Sequence, residues 1–256
     1  MLYNLSKNDT PSYLHYYKVN NGYRYGGTYL QCLKSMFTIF HNESINAFTS
    51  LFNSVIAIYG FIYGYYNNFN LLALSLWTFG VMASSLISFG FHTFSPINKY
   101  HYSLWINLDI ITIYISGICQ SLSFSIIFLP FNLMLCNVLY TLILIVYLKK
   151  VYRRITIKKH IPALKQITNV TLCTVNLLLP LAYNVIYDYN IHSYRYLCYM
   201  IYVIIAAGVI FGFKIPEVYF KEGTFNKIGH SHHFMHICVS LYCYYIFMFI
   251  KSYYKS

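Results

Sequence analysis

The sequence predicts an all-α, polytopic membrane protein: a bundle of seven transmembrane helices with its N-terminus in the cytoplasm and its C-terminus on the opposite side. Of the 256 residues, 58% are hydrophobic and 9% are charged, whereas about a quarter of the residues in a soluble domain are charged. The mean hydropathy is +0.49. Several apolar runs approach the roughly 20 helical residues that cross a bilayer core of about 30 Å. A soluble core could not bury this much apolar surface, so lipid is the predicted solvent.

The net charge and the cysteines exclude two classes of protein. The formal charge of +12 does not indicate nucleic-acid binding, because the basic residues cluster in loops beside apolar runs, where they set topology and contact anionic lipid. The seven cysteines form no CxxC pair and lie mostly in apolar runs, so we interpret them as packing residues and not as a disulfide framework. Residues 1–30 lack the apolar stretch of a signal peptide, and we expect the N-terminus to be retained.

Hydropathy divides the chain into a cytoplasmic N-terminal segment (1–46), a transmembrane domain (47–250) and a short tail (251–256). The predicted spans are 47–66, 71–94, 105–124, 130–148, 167–187, 197–213 and 234–250. The boundary between the third and fourth spans is placed around Ser123, Ser125 and Pro130, where the chain could turn at the interface. Pro180 predicts a kink inside the fifth span.

Lysine and arginine in the loops set the orientation, since both favour the cytoplasmic side. The loop 149–165 carries Lys149, Lys150, Arg153, Arg154, Lys158, Lys159 and Lys165 and no acid. With this loop inside, the predicted outer loops 67–70, 121–129 and 188–195 contain a single basic residue, Arg195. An odd number of spans with the N-terminus inside follows.

Asp109 is the one acid within an apolar span. An unpaired carboxylate at that depth costs several kcal/mol, on the order of the penalty for any charge in a bilayer. Histidines are its candidate partners: His92 ends the second span, and His232 and His236 begin the seventh with i, i+4 spacing on one helix face. In the predicted orientation, all four groups lie near the cytoplasmic face.

Three neutral imidazoles with an open fourth position are typical of a catalytic zinc site, and the donor set favours Zn²⁺ over other divalent ions. Alternatives stay open for each residue. His92 could be an interfacial hydrogen-bonding residue, and Asp109 could join two helices. His233 with His236, at i and i+3, is a rival ligand pair.

Four sequence blocks resemble the progestin and adipoQ receptor family, which includes adiponectin receptors and haemolysin III proteins. They are NESINAFTSLF with Glu43 and Asn46, SFGFHTF with Ser88 and His92, LDIITIY with Asp109, and KIPEVYF followed by SHHFMH with His232 and His236. The blocks follow in the family's order over residues 23–250, and the short C-terminus is more similar to haemolysin III proteins than to the receptors.

The resemblance implies seven helices, a cytoplasmic N-terminus and a zinc ion held by His92, His232 and His236. Asp109 and Ser88 would then be the catalytic partners that contact the zinc ligands or the water. One position departs from the pattern: Ser50 stands where many members close the first motif with histidine. This departure puts the role of that motif, with Glu43 and Asn46, in doubt.

Three functions are compatible with these residues. The first is a zinc-dependent lipid amide hydrolase, for which the resemblance suggests a ceramide-like substrate; zinc lowers the pKa of a bound water to near 7, and Asp109 could take its proton. The second is a receptor or regulator with a structural zinc. The third is a membrane-permeabilising protein of the haemolysin III type, although the apolar spans contain no ladder of ionisable groups. Asn137, Asn169, Asn176 and Asn184 are weak signs of a polar pathway, and packing between spans explains them equally well.

Overall fold

A computed structural model describes residues 1–158, 163–187 and 191–254, without the side chains of 151–171, 173–175 and 192. The chain is mostly helical. Two short strands, β1 (Leu2–Leu5) and β2 (Tyr23–Tyr25), pair antiparallel. The helices are α1 (Tyr29–Thr38), α2 (Ser44–Tyr66), α3 (Leu71–Phe94), α4 (Lys99–Phe128), α5 (Phe131–Lys158), α6 (Ala163–Tyr187), α7 (Ile191–Phe213) and α8 (Ser231–Tyr253).

Six helices in the described part of the chain are long and apolar enough to cross a membrane. They are α2, α3, α4, the first part of α5 (Phe131–Lys150), a stretch that begins inside α7 and continues past its end (Ser193–Tyr219), and α8. The fifth predicted span corresponds to α6, which contains Pro180; only its second half, Asn176–Tyr187, counts as a shorter apolar helix. The predicted basic loop 149–165 is too long: residues 149–158 belong to α5 and residues 163–165 to α6, because a helix can continue beyond its apolar stretch. Residues 159–162, most side chains of the predicted loop and the side chain of Asn169 lie outside the described residues and side chains.

The predicted boundary between the third and fourth spans is confirmed at Pro130, which lies between α4 and α5, but a turn at Ser123 and Ser125 is wrong. Both serines lie inside α4, which runs on to Phe128 and ends just before Pro130. The Ser123 hydroxyl donates to the carbonyl of Ala73 at 2.7 Å, and that of Ser125 donates to the carbonyl of Ser121 at 2.7 Å. A serine whose hydroxyl bonds a helix carbonyl is compatible with an apolar helix, so these residues mark contacts and not an end.

Asparagines in the spans join neighbouring helices. The Asn137 amide of α5 donates to the Ser121 hydroxyl of α4 at 3.0 Å, and the Asn176 amide of α6 donates to the Thr141 hydroxyl of α5 at 2.9 Å. The Ser121 hydroxyl donates in turn to the Asn176 carbonyl at 2.8 Å. These bonds support the interpretation of Asn137 and Asn176 as packing residues, because amide and hydroxyl groups link helices in lipid.

The bundle has one apolar end and one polar end. The buried apolar core contains Trp77, Phe124, Ile246 and Phe249. It lies near the start of α3 and near the ends of α4 and α8. The polar end lies at the opposite ends of the same helices. There, residues 1–28, hereafter the N-terminal cap, bind the segment between α7 and α8: Lys7 pairs with Glu222 at 3.1 Å, and Asn226 accepts from the Asn20 amide at 2.8 Å.

Small residues allow α3 and α4 to approach closely. A Cβ atom at Gly80 would lie 2.8 Å from the Cβ of Cys119 and 3.2 Å from the Cα of Ser116, whereas nothing lies within 4 Å of a Cβ at Gly208. The backbone of Ser116 cannot move cheaply, so this contact requires glycine. Close backbone approach through small residues is how helices pack when lipid surrounds them.

We predict that Gly80→Ala lowers the stability of the detergent-solubilised protein by about 1–3 kcal/mol, the usual cost of overpacking. Gly208→Ala is the matched control, since it adds the same methyl group to open space and should leave the melting temperature unchanged or slightly raised. Thermal melting followed by circular dichroism checks both, and equal melting of the two variants would contradict the packing described.

Candidate metal centre

The first two turns of α8 present two imidazoles to the interior. Gly229, with φ at +86°, reverses the chain into the helix. His232 and His236 follow with i, i+4 spacing, and their rings are stacked, with centroids 5.0 Å apart and planes inclined by 10°. Their Nε2 atoms lie 3.2 Å apart. The sequence prediction that both rings share one helix face is confirmed.

His92 brings the third imidazole from the last turns of α3. Its Nε2 atom lies 3.0 Å from Nε2 of His236, and one nitrogen from each of the three rings falls within 4.8 Å of the others. His92 is 1% exposed and His236 is 7% exposed. Two helices far apart in sequence therefore aim three ring nitrogens at one small volume.

The donor set suits a zinc ion. Two imidazole nitrogens that bind one tetrahedral zinc at 2.0–2.1 Å lie roughly 3.3 Å apart, close to the 3.0 and 3.2 Å separations at His236. Imidazole is a preferred zinc ligand. The group can therefore hold a metal ion.

Asp109 and Ser88, the predicted catalytic partners, lie beside this group without belonging to it. The carboxyl group of Asp109 contacts the Ser88 hydroxyl and lies close enough to His92 for the two side chains to interact electrostatically. Ser88 in turn accepts from the Ser50 hydroxyl at 3.2 Å. An acid from α4 and a hydroxyl from α3 thus lie next to the three imidazoles.

His233, the rival ligand, points elsewhere. Its Nε2 atom lies 2.8 Å from the Asn42 carbonyl, and its Nδ1 atom accepts from the Gly229 amide at 3.1 Å. Both nitrogens are therefore occupied: Nε2 joins α8 to the segment before α2, and Nδ1 bonds the chain directly before α8. The structure therefore favours the His232 and His236 pair over the His233 and His236 pair.

The first motif, with Glu43 and Ser50, lies beside the three histidines. The sequence alone did not predict this placement. Glu43 contacts Nδ1 of His92 through Oε2 at 2.7 Å, and the Ser50 hydroxyl lies 3.3 Å from Nδ1 of His236. Ser50 therefore faces one of the three converging histidines despite its departure from the family pattern. The E-x-x-N spacing was the available signal, but nothing in it indicated the partner.

Glu43 is ionised and tightly held. Burial alone would raise the pKa of its carboxyl group. The contacts with His92 and with the Tyr16 hydroxyl outweigh that effect, so the pKa of Glu43 lies well below its usual range. Burial and the adjacent carboxylate raise the pKa of Tyr16 well above its ordinary value. The Tyr16 hydroxyl therefore keeps its proton and donates a hydrogen bond to Glu43 Oε1 at 2.6 Å.

A family model described as haemolysin-III related matches residues 38–248 of the chain. The chain belongs to the haemolysin-III related family. The match contains all three imidazoles, Asp109 and Glu43, and with the six apolar helices it identifies an integral, multi-pass membrane protein. No curated protein matches the chain.

We predict that this haemolysin-III family member copurifies with about one zinc ion per molecule, as expected for a three-histidine site. The double variant His232→Ala/His236→Ala should retain almost none, whereas His233→Gln should retain the wild-type content. Elemental analysis of detergent-purified protein measures all three. Zinc retained by the double variant would show that the metal binds elsewhere.

Proposed function

We propose that this haemolysin-III family member is a zinc-dependent hydrolase that cleaves the amide bond of a membrane lipid. The proposal depends on one observation: three converging imidazole nitrogens lie beside a carboxyl group and a hydroxyl, those of Asp109 and Ser88. A purely structural clamp requires only the imidazoles. The acid and the hydroxyl are the groups that acyl transfer requires in addition.

His92, His232 and His236 would hold the zinc ion. When bound, zinc acts as a Lewis acid and makes water a stronger nucleophile at neutral pH. Three protein ligands leave a coordination position open, which is typical of a catalytic zinc site.

Asp109 and Ser88 have separate tasks in this reaction. Asp109 accepts a proton from the attacking water as its oxygen bonds to the amide carbon, and then delivers that proton to the nitrogen as the carbon–nitrogen bond breaks. Ser88 first orients the carboxylate by donating a hydrogen bond to it. Once Asp109 holds the proton and no longer needs that bond, the Ser88 hydroxyl donates instead to the negative oxygen that develops on the amide carbon. The products are a carboxylic acid and an amine.

The surroundings of the site favour a lipid substrate. On the aqueous side, Tyr16 of the N-terminal cap lies edge-on to His232, with ring centroids 5.2 Å apart. Phe211 of α7 also contacts the His232 ring, at 5.4 Å, and is 39% exposed on the bundle surface. In this proposal, a lipid reaches the site along the exposed face of Phe211. The resemblance described above suggests an amide of the ceramide type.

We predict that Asp109→Asn keeps its zinc but loses hydrolysis of a fluorescent ceramide-like amide by roughly 100-fold or more, since general acid–base catalysis contributes at least that factor. Asp9→Asn removes an acid from the exposed surface of the N-terminal cap and should not change turnover. Product formation in mixed micelles and zinc content are measured on the same preparations.

Full activity in Asp109→Asn would contradict this mechanism. A wild-type protein that binds zinc but cleaves no lipid amide would point to a structural metal, with the imidazoles joining α3 to α8. Leakage from liposomes that continues after chelation would favour the permeabilising function.

We also propose that α6 completes a set of seven spans, with the N-terminus in the cytoplasm. The helix has 25 residues, enough to cross a bilayer core. The two ends of the chain lie at opposite ends of the bundle: the N-terminal cap lies beside His232, whereas Tyr254 accepts a hydrogen bond from the Asn70 amide between α2 and α3. An odd number of crossings explains this placement.

We predict that epitope tags at the two termini respond oppositely to protease in sealed inside-out vesicles. The N-terminal tag should be digested and the C-terminal tag protected, since an odd number of spans separates them. Detergent, which opens the vesicles, should expose both and serves as the control. Digestion of both tags in sealed vesicles would require an even number of spans.

A further inference from the structure

One face of the first two turns of α2 is directed at the histidine group. Glu43, Asn46 and Ser50 stand at positions i, i+3 and i+7, which share a face of a helix. Glu43 contacts Nδ1 of His92 and Ser50 contacts Nδ1 of His236. Glu43, directly before α2, and Ser50 of α2 therefore contact two Nδ1 atoms, those of His92 and His236. These are the ring nitrogens on the side away from the converging Nε2 atoms.

The carboxylate of Glu43 is fixed at both oxygens. Oε2 accepts from the Asn46 amide at 3.0 Å and lies 2.7 Å from His92 Nδ1, while Oε1 accepts from the Tyr16 hydroxyl at 2.6 Å. Its side chain is 12% exposed. These partners fix the position of the Glu43 carboxylate, and the carboxylate in turn fixes the orientation of the His92 ring.

This contact decides which nitrogen of His92 carries the proton. A carboxylate accepts a hydrogen bond, so Nδ1 must be the protonated nitrogen. Nε2, which faces His236 at 3.0 Å, is then left with a free lone pair. A carboxylate on the outer nitrogen also raises the basicity of a ligating imidazole. In addition, Arg24 donates to the His92 carbonyl at 2.8 Å, so that both the backbone and the ring of His92 are held.

We infer that Glu43 is a positioning residue that holds His92 in its metal-binding tautomer, and that Tyr16 of the N-terminal cap tunes the metal affinity by fixing Glu43. The inference rests on the zinc site proposed above but not on hydrolysis. It assigns a role to the first motif, and it makes the N-terminal cap part of the metal centre although it contributes no ligand.

The three histidines differ in the hydrogen-bond partner of their Nδ1 atom, the nitrogen outside the converging group. Ser50 offers His236 a neutral hydroxyl, and Nδ1 of His232 is buried without a hydrogen-bond partner among the residues that the structure describes. His92 alone has a carboxylate at its outer nitrogen within that part of the chain. Loss of the Glu43 charge should therefore weaken the site more than loss of the Ser50 hydroxyl.

The test compares Glu43→Gln with Glu217→Gln in the full-length protein in detergent. Glu217 is the matched control, because it is also buried at the polar end but accepts from the Ser231 hydroxyl at 2.7 Å and does not contact a ligating ring. Zinc affinity is measured by competition with a chromogenic chelator. We expect Glu43→Gln to bind zinc about 10–100-fold more weakly, the usual effect of removing such a partner, and Glu217→Gln to match the wild type.

Two further variants separate positioning from a general loss of structure. Tyr16→Phe keeps the Glu43 charge and should weaken zinc binding by a smaller factor, and Glu43→Asp should recover part of the affinity lost in Glu43→Gln. The visible spectrum of the cobalt-substituted protein should change in Glu43→Gln, because the basicity of one ligand changes. Circular dichroism of metal-free Tyr16→Phe should show the helix content of the wild type, so that weaker zinc binding is not caused by unfolding.

Wild-type zinc affinity in Glu43→Gln, with an unchanged cobalt spectrum, would overturn the inference while leaving the three-histidine site intact. If Glu43→Gln fails to fold, unchanged zinc affinity in Tyr16→Phe overturns it instead. No zinc binding in the wild type would overturn this inference and the proposed function together. Zinc binding without hydrolysis in the wild type would overturn only the proposed function.

Discussion

The meeting of three imidazole nitrogens between α3 and α8 is the contact on which the polar end of the molecule depends. Polar groups in lipid are stable only when other polar groups or a metal satisfy them, so the rings require a shell of partners. α2 supplies it, since it packs against both α3 and α8. Glu43 and Ser50 of α2 reach two of the rings, and the N-terminal cap covers the third with Tyr16.

The spans and the ligands were predictable because both leave local signals. Apolar runs identify helices in lipid regardless of tertiary structure, and an ionisable group inside such a run is rare enough to demand a partner. His92, His232, His236 and Asp109 were found in this way, and the structure places the histidines together. Even so, Ser123 and Ser125 were misjudged, because a serine bonded to a helix carbonyl looks the same in sequence as one at a turn.

The shell around the ligands could not be predicted, since its members are joined only by folding. Tyr16 and Glu43 lie in segments without hydropathic periodicity, and their contacts with His232 and His92 follow from how the N-terminal cap docks. α1 did leave a signal: Thr28 and Gln31 form a reciprocal capping box at its start, a pattern that predicts a helix N-terminus. The polar composition of the segment obscured it.

The distribution of the ligands along the chain has a consequence for biosynthesis. His92 belongs to the second of the long apolar helices, whereas His232 and His236 lie on α8, which follows all the others. A chain emerges from the ribosome N-terminus first. Glu43 and His92 are therefore without His232 and His236 until the final helix is inserted. A chain that stalls or is cut before α8 cannot assemble the three-histidine group, so a metal ion held by that group would report that insertion was completed.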